Sequence, residues 1–260
     1  MIPLRDINST VEKNVQSDST TITTAPTKQS WLGQHSTFIK KEITELRHFF
    51  TKPVRRFSSK STFYDRWRRI SLIAGIGLTF NVIYLMSIGL ALHNWTTIEN
   101  VQDVTSTSAI FLVLVFAPLM EEIIFRAGLR KLPYTLFVGP ALISLLFGQW
   151  QIAAGLFFLT TSIAAYLYML GLDSGGKFRL GRQFIQHYSK IFWLYAGAFA
   201  ITHITNFRFS DASGLLVIFA VMPQLSMGIL LGYVRLRDGL SSSITLHFVN
   251  NLTMLSLIFI

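Results

Sequence analysis

The sequence predicts an all-α fold, a polytopic membrane helix bundle of about seven transmembrane helices with a disordered, basic amino-terminal tail. Composition favours this class. Of the 260 residues, 51% are hydrophobic and only 14% are charged, and the mean hydropathy is +0.46. Such values are typical of polytopic membrane proteins. The charge distribution also favours it, because Met1–Arg69 carries 13 Lys and Arg against 6 Asp and Glu, a net +7 of the total +10.

The uneven charge and the cysteine content exclude several classes of protein. A basic tail followed by apolar segments suits the anionic surface of a membrane, so we expect membrane lipids and no nucleic acid as partners. The sequence contains no Cys, which excludes disulfides, thiolate metal sites and a cysteine nucleophile. No signal peptide is predicted, since the first apolar run begins only near Ile70.

Two domains are predicted, residues 1–69 and residues 70–260. Ser, Thr, Asn and Gln dominate residues 1–37, which we expect to be disordered. Residues 38–69 mix basic and aromatic side chains, which fits either a membrane-surface segment or a positive flank that orients the first helix. The second domain is the transmembrane domain, with a motif-bearing core at about 108–260.

Seven apolar segments of roughly spanning length make up this second domain. They are residues 70–92, 107–126, 133–149, 151–172, 190–207, 214–234 and 242–260. Links rich in Lys and Arg alternate with links that have no net positive charge, as seven spans starting in the cytoplasm require. We therefore predict an integral, multi-pass protein with a cytoplasmic amino terminus. Because the tail is not a clean transit peptide, a bacterial cytoplasmic membrane is favoured, with an organellar membrane as the alternative.

The second apolar segment carries Glu121, Glu122 and Arg126. Each charged group at mid-membrane costs about 2.5–3.5 kcal/mol on insertion scales, so a segment that only spans has no reason to carry three. Glu122 and Arg126 are four residues apart and share a helix face, where they can form an ion pair. Glu121 lies about 100° around the axis and is left available for chemistry. A purely structural ion pair inside a bundle is the alternative.

Two later segments carry further polar groups, His203 in one and His247 with Asn251 in the other. His247 and Asn251 are four residues apart and point the same way from one helix. Because polar groups within a membrane need partners, we expect the three segments to share one polar cavity. His203 is predicted to lie deeper than Glu121 and His247, so the cavity requires tilted helices or a recessed chamber.

These residues fall into three ordered motifs, each within an apolar segment. The motifs are Glu121-Glu122-Ile-Ile-Phe-Arg126, Phe199-Ala-Ile-Thr-His203 and His247-Phe-Val-Asn-Asn251. In this order they resemble the CPBP (Abi, CAAX protease and bacteriocin-processing) family of intramembrane proteases, which includes the Ras-converting CAAX endopeptidase. The resemblance covers about Ser108–Ile260.

The resemblance implies an intramembrane endopeptidase that acts on membrane-associated peptides or proteins. Glu121 would be the general base and His203 would help to polarise the water. His247 and Asn251 would bind the oxyanion, and Glu122 with Arg126 would fix the first motif helix. Without a cofactor, this is a glutamate-type mechanism, which we favour.

Several alternatives stay open at this stage. Zinc bound by Glu121, His203 and His247 is the runner-up mechanism, since two imidazoles and a carboxylate are a ligand set of zinc hydrolases. Other classes are a catalytically silent scaffold, a bacteriocin-immunity protein and a proton-coupled transporter. The sequence does not define the substrate, its prenylation or the oligomeric state.

Overall fold

A computed structural model describes residues 28–55, 61–95, 98–100, 106–170, 174–209 and 214–258. The chain separates into two compact units, Met1–Lys40 and Lys41–Ile260. Of the first unit, only the beginning of one helix is described. The site and the core discussed below belong to the second unit.

The described chain is almost entirely helical, which confirms the predicted all-α class. The α-helices are α1 (Lys28–Thr51), α2 (Phe63–Tyr84), α3 (Leu90–Trp95), α4 (Thr107–Phe111), α5 (Ala117–Phe125), α6 (Gly139–Leu146), α7 (Trp150–Leu170), α8 (Ser174–Gln186), α9 (Tyr188–Thr202), α10 (Gly214–Ala220), α11 (Met222–Asp238) and α12 (Leu240–Ile258). Turns of π-helix at Leu85–Gly89, Leu112–Phe116 and Tyr134–Val138 and 3₁₀ turns at Ala127–Arg130 and His203–Asn206 interrupt them. Two short strands, β1 (Ile98–Asn100) and β2 (Phe207–Phe209), pair antiparallel.

The amino-terminal region differs in part from the prediction. Helix α1 begins at Lys28, so residues 28–37 are helical although the sequence predicts disorder there; residues 1–27 lie outside the described residues. The domain boundary after Arg69 stays a prediction; the second compact unit starts at Lys41. Within that unit Glu42 and Phe49 of α1 are buried, because the carboxyl-terminal half of α1 carries an apolar face that packs into the core.

Two of the described helical segments are long and apolar enough to cross a membrane, Phe63–Leu92 and Thr107–Arg130. They coincide with the first two of the seven predicted spans; the other five stay predictions, and so does the orientation of the termini. Large apolar side chains are exposed along the bundle, among them Met86, Phe158 and Leu194 at 69%, 73% and 70%. Patches of this kind suit contact with lipid better than contact with water.

The core of the second unit surrounds α11, which packs against α9, α2 and α12. Small residues allow the close approach of α9: a Cβ atom at Gly232 would lie 2.5 Å from Phe192 Cε2, and one at Gly228 would lie 3.0 Å from Phe199 Cδ1. Both rings are buried. The GxxxG spacing in α11 therefore accommodates two aromatic rings of α9.

Replacing Gly232 by alanine is expected to destabilise the protein by about 1–3 kcal/mol, because the added methyl group overlaps the fixed ring of Phe192. The measurement is thermal or denaturant unfolding of the detergent-solubilised protein. Gly197→Ala is the matched control, since a Cβ at Gly197 in α9 meets no atom within 4 Å. Equal stability of the two variants would contradict the tight α9–α11 contact.

A buried ion network joins α1, α2 and α11. Arg69 donates to Glu42 through Nε and Nη2, both at 2.8 Å, and to Asp238 through Nη1 at 2.5 and 2.6 Å. Tyr233 donates its hydroxyl to Glu42 Oε2 at 2.8 Å, and Arg237 donates to Glu42 Oε1 at 3.3 Å. Burial raises the pKa of Glu42, but these hydrogen bonds and positive charges outweigh burial and hold its pKa below the ordinary value of 4.5.

This depressed pKa predicts that the stability of the fold depends on pH. A carboxyl whose pKa is lower in the folded state stabilises that state above its unfolded pKa, and the contribution is lost as pH falls through the folded pKa. Glu42→Gln should therefore lower stability at pH 7, and the difference from wild type should shrink below about pH 4. Unfolding midpoints of both proteins between pH 3 and pH 7 provide the measurement. A difference independent of pH would mean that the charge of Glu42 is not responsible.

Candidate active site

Helix α5 carries the first motif, and its start is unusual. In the π-turn before it, the Ala117 N–H donates to Leu112 O, five residues back, and the next residue, Pro118, has no N–H. The carbonyl of Val113 is thereby deprived of a helical donor. Asn251 Nδ2 of α12 supplies one at 3.0 Å, so the third motif is tied to the start of the first motif's helix.

The other end of α5 is held by arginine side chains. Arg235 of α11 donates to the carbonyls of Arg126 and Ala127 at 3.0 and 3.2 Å. Arg130, just after α5, donates in turn to Leu236 O near the end of α11. The last carbonyls of α5 therefore accept hydrogen bonds from an arginine of α11, and a carbonyl near the end of α11 accepts one from Arg130. A positive charge at the carboxyl-terminal end of a helix also interacts favourably with the helix dipole.

Glu122 is fully buried and has three partners, two through hydrogen bonds and one through an ion pair. Its Oε1 lies 3.1 Å from His247 Nδ1 and 3.2 Å from Arg126 Nη1, and its Oε2 accepts from the Ser243 hydroxyl. The Ser243 hydroxyl also lies 3.0 Å from Leu231 O, although its one proton can serve only one acceptor at a time. Such a surrounded carboxylate suits a fixed anion better than a proton acceptor.

Arg126 forms the predicted ion pair with Glu122 and is itself 2% exposed. The two groups are 3.2 Å apart, which is close enough for an ion pair. The contact is not a hydrogen bond, since neither Nη1 nor Nη2 of Arg126 has a hydrogen-bond partner among the described residues. The guanidinium instead lies over the ring of Phe199, 3.7 Å from its centroid. Phe199 therefore helps to stabilise the buried cation.

Glu121 faces the two imidazoles. Its Oε2 lies 3.6 Å from His247 Nε2 and 3.9 Å from His203 Nε2. The same oxygen is buried and accepts no hydrogen bond from the described residues. Unlike Glu122, Glu121 therefore keeps a carboxylate oxygen free at the point where both rings converge.

The hydrogen bonds of the two rings indicate which ring nitrogen carries a proton. His203 Nδ1 lies 2.8 Å from the Phe199 carbonyl, which can only accept, so Nδ1 carries a proton. His247 Nδ1 likewise carries the proton shared with the Glu122 carboxylate. In their neutral forms both rings turn an unprotonated Nε2 toward Glu121.

The structure thus brings Glu121, Glu122, Arg126, His203 and His247 into one cluster. Asn251, one turn beyond His247 on α12, contacts the Val113 carbonyl instead. The expected difference in depth does not separate the rings, because His203 lies in the 3₁₀ turn after α9, where its ring reaches back to Glu121. Sequence reasoning missed Ser243. Its position, four residues before His247 in α12, was the available signal, since it extends the polar face of that helix by one turn.

Two imidazoles and one carboxylate are also donors that zinc accepts. Their Nδ1 bonds to a carboxylate and a carbonyl are of the kind that orients metal-binding histidines. Within the described ranges, however, no group of three or more His, Cys, Asp or Glu residues has the geometry to hold a metal ion. The residue types fit zinc, but their positions among the described residues do not meet the geometric criteria for a metal site.

Carboxylate and imidazole groups gathered between apolar helices mark a functional site, and such groups can serve as the general acids and bases of a hydrolase. Comparison with protein families makes this class specific: residues 103–253 match the family described as type II CAAX prenyl endopeptidase Rce1-like. The match covers more than half of the chain, and the chain belongs to this family, which confirms the CPBP and CAAX protease resemblance. The family consists of integral membrane proteases. No curated protein and no solved structure matches the chain.

Proposed function

We propose that this protein is an intramembrane endopeptidase that hydrolyses a peptide bond of a membrane-associated substrate with a water molecule activated by Glu121. The observation that carries this proposal is the unpartnered Glu121 Oε2, which faces both Nε2 atoms at 3.6 and 3.9 Å. A water molecule there can donate one proton to the carboxylate and the other to an imidazole. Its oxygen is then directed at the substrate carbonyl.

In the first step the water oxygen attacks the carbonyl carbon and Glu121 takes the proton. His203, fixed by its bond to the Phe199 carbonyl, orients the water. The negative charge on the former carbonyl oxygen is stabilised by the N–H of Asn251 that is not used on Val113 O, and by His247, which donates from Nε2 when its ring carries both protons. Removing one such donor typically costs about 2.7–4 kcal/mol of transition-state stabilisation.

In the second step the proton held by Glu121 passes to the leaving nitrogen and the carbon–nitrogen bond breaks. The products are a carboxylic acid and an amine, so the atoms and protons of one water are fully used. Glu122 and Arg126 take no proton in this scheme. They fix α5 and hold the His247 ring in place.

The family assignment makes a prenylated CAAX peptide the first substrate to test, and a farnesylated peptide in bicelles is a suitable probe. Wild type should cleave it and Glu121→Gln should not. Comparative membrane proteomics of cells carrying either protein should then show uncleaved precursors only in the variant. Equal cleavage by both proteins would refute Glu121 as the base, whereas no cleavage by either would argue for a transporter or a silent scaffold, which need no base at position 121.

A zinc-dependent version is the second candidate, favoured by the Nδ1 bonds of His203 and His247. Glu121 would join the two imidazoles as ligands, and a bound zinc would supply Lewis-acid activation of water. Chelation separates the two versions. Prolonged dialysis against EDTA should leave the glutamate-type enzyme fully active, whereas loss of activity that zinc restores would establish the second candidate.

A further inference from the structure

Two carboxamide side chains lie outside the motifs and have no role in the mechanism above. Asn81 of α2 is only 4% exposed, and its Oδ1 accepts no hydrogen bond within the described ranges. The Oε1 atom of Gln224, in the first turn of α11, is likewise buried and has no partner there. An unpaired acceptor between apolar helices is costly, so each oxygen marks a place where a donor is missing.

The packing of α2 against α11 places these two residues at the same level. The helices run antiparallel, since Arg69 pairs with Asp238 and, further along, a Cβ at Gly77 would meet Leu230 Cδ1 at 3.1 Å. Farther still, the Tyr84 hydroxyl donates to Phe219 O.

Between those last two contacts, one turn beyond Gly77, the register sets Asn81 opposite residue 224. Residues 77 and 81 share a helix face. Asn81 therefore faces the start of α11, where Gln224 lies.

The packing of α9 against α11 relates Gln224 to the catalytic cluster. Phe192 lies against Gly232 and Phe199 lies against Gly228, so these helices are also antiparallel. One further turn along both helices, the same faces carry His203 and Gln224. Gln224 lies about 60° around the α11 axis from Met227, whose sulfur faces Gly77 of α2. On α11, Gln224 thus lies between the face that packs against α2 and the face that packs against α9.

We propose that the catalytic chamber extends from His203 past Gln224 to Asn81, and that these two carboxamide oxygens bind backbone N–H groups of the extended peptide substrate. This inference rests on the proposed function. An extended peptide offers regularly spaced N–H donors and is recognised through main-chain hydrogen bonds. Carboxamides suit this task because they stay uncharged and accept a bond without demanding a particular side chain. Gln224 and Asn81 would then be substrate-positioning residues.

The test pairs variants of the full-length protein in bicelles with farnesylated CAAX peptides in which one amide N–H at a time, outside the scissile bond, is replaced by an ester oxygen. For wild type, an ester at either of the two recognised positions should raise KM about tenfold, the effect of one neutral hydrogen bond. Gln224→Leu should raise KM for the amide peptide by a similar factor and should abolish the ester penalty at one of these positions. Asn81→Leu should do the same at the other position, and kcat should change little in either variant.

Gln151→Leu is the matched control, because Gln151 is exposed on α7 and should keep the wild-type ester penalty. Thermal unfolding of each variant verifies that it is folded. An ester penalty that is the same in wild type, Gln224→Leu and Asn81→Leu would overturn the subsite, even if wild type cleaves normally; the carboxamides would then only hold structural water. If wild type cleaves no peptide, or Glu121→Gln cleaves as fast, the proposed function itself fails, so the two failures are distinguishable.

Discussion

Replacing Glu121 by glutamine is expected to lower kcat for peptide cleavage by roughly 100- to 10,000-fold, the range contributed by a general base. The amide has nearly the shape of the carboxylate but cannot take a proton from water. Folding should be unaffected, because Glu121 Oε2 accepts no hydrogen bond in the described part of the chain. Steady-state kinetics with a fluorogenic CAAX peptide and a thermal unfolding curve provide the two measurements.

Glu45→Gln serves as the control for this experiment. Glu45 makes an ion pair with Arg237 at 2.6 Å, away from the catalytic cluster, so the same chemical change there should leave kcat unchanged. Retained activity in Glu121→Gln would refute the assignment of the base. A large loss of stability in Glu121→Gln would assign Glu121 a structural role instead.

Replacing Glu122 by glutamine should have the largest effect on stability. Glu122 is the buried counter-ion of Arg126 and also binds His247 and Ser243. Removing one partner of a buried ion pair leaves an uncompensated charge and typically costs about 3–5 kcal/mol. We expect a correspondingly lower free energy of unfolding in detergent, accompanied by loss of activity because the His247 ring loses its anchor.

A double-variant cycle tests the cause of this loss. Arg126→Met removes the charge that Glu122→Gln leaves unpaired, so the double variant should be more stable than the sum of the two single effects predicts, by about 0.5–3 kcal/mol. Strictly additive effects would mean that the two side chains do not depend on each other. Catalysis should not return in the double variant, since the orientation of His247 still depends on Glu122.

The motif residues could be predicted from sequence because each combines a polar type with helical spacing in an apolar segment. Spacing of four residues was enough to predict that Glu122 faces Arg126 and that His247 shares a face with Asn251. It was not enough to predict partners. The donation from Asn251 to Val113 O depends on the π-turn and on Pro118, and the backbone irregularity that frees this carbonyl is invisible in a periodicity argument.

The buried ion network could not be foreseen for a different reason. Glu42, Arg69 and Asp238 are far apart in the chain, and each falls in a region whose charges are usually solvated. Ser243 was overlooked because serine is common in membrane helices and carries no charge. In both cases the decisive information is tertiary, since it lies in which helices meet at a given level.

The extent of the membrane spans shows a further limit of sequence reasoning. Hydropathy predicts how apolar a segment is, but it does not predict whether the helix continues without a break. Residues 133–149 illustrate this, because a π-turn at Tyr134–Val138 and the end of α6 at Leu146 leave only a short regular helix. Residues 107–126 keep their helical character through a similar π-turn and meet the length required of a span.

The two ends of α5 are both secured by side chains from other helices, Asn251 at its beginning and Arg235 at its end. Because these contacts oppose sliding and rotation of α5, we expect Glu121 and Glu122 to move less than the neighbouring helices during turnover. We therefore expect the proposed substrate to enter by displacement of neighbouring segments rather than of the helix that bears Glu121. Crosslinks that immobilise α5 against α12 should consequently leave turnover intact.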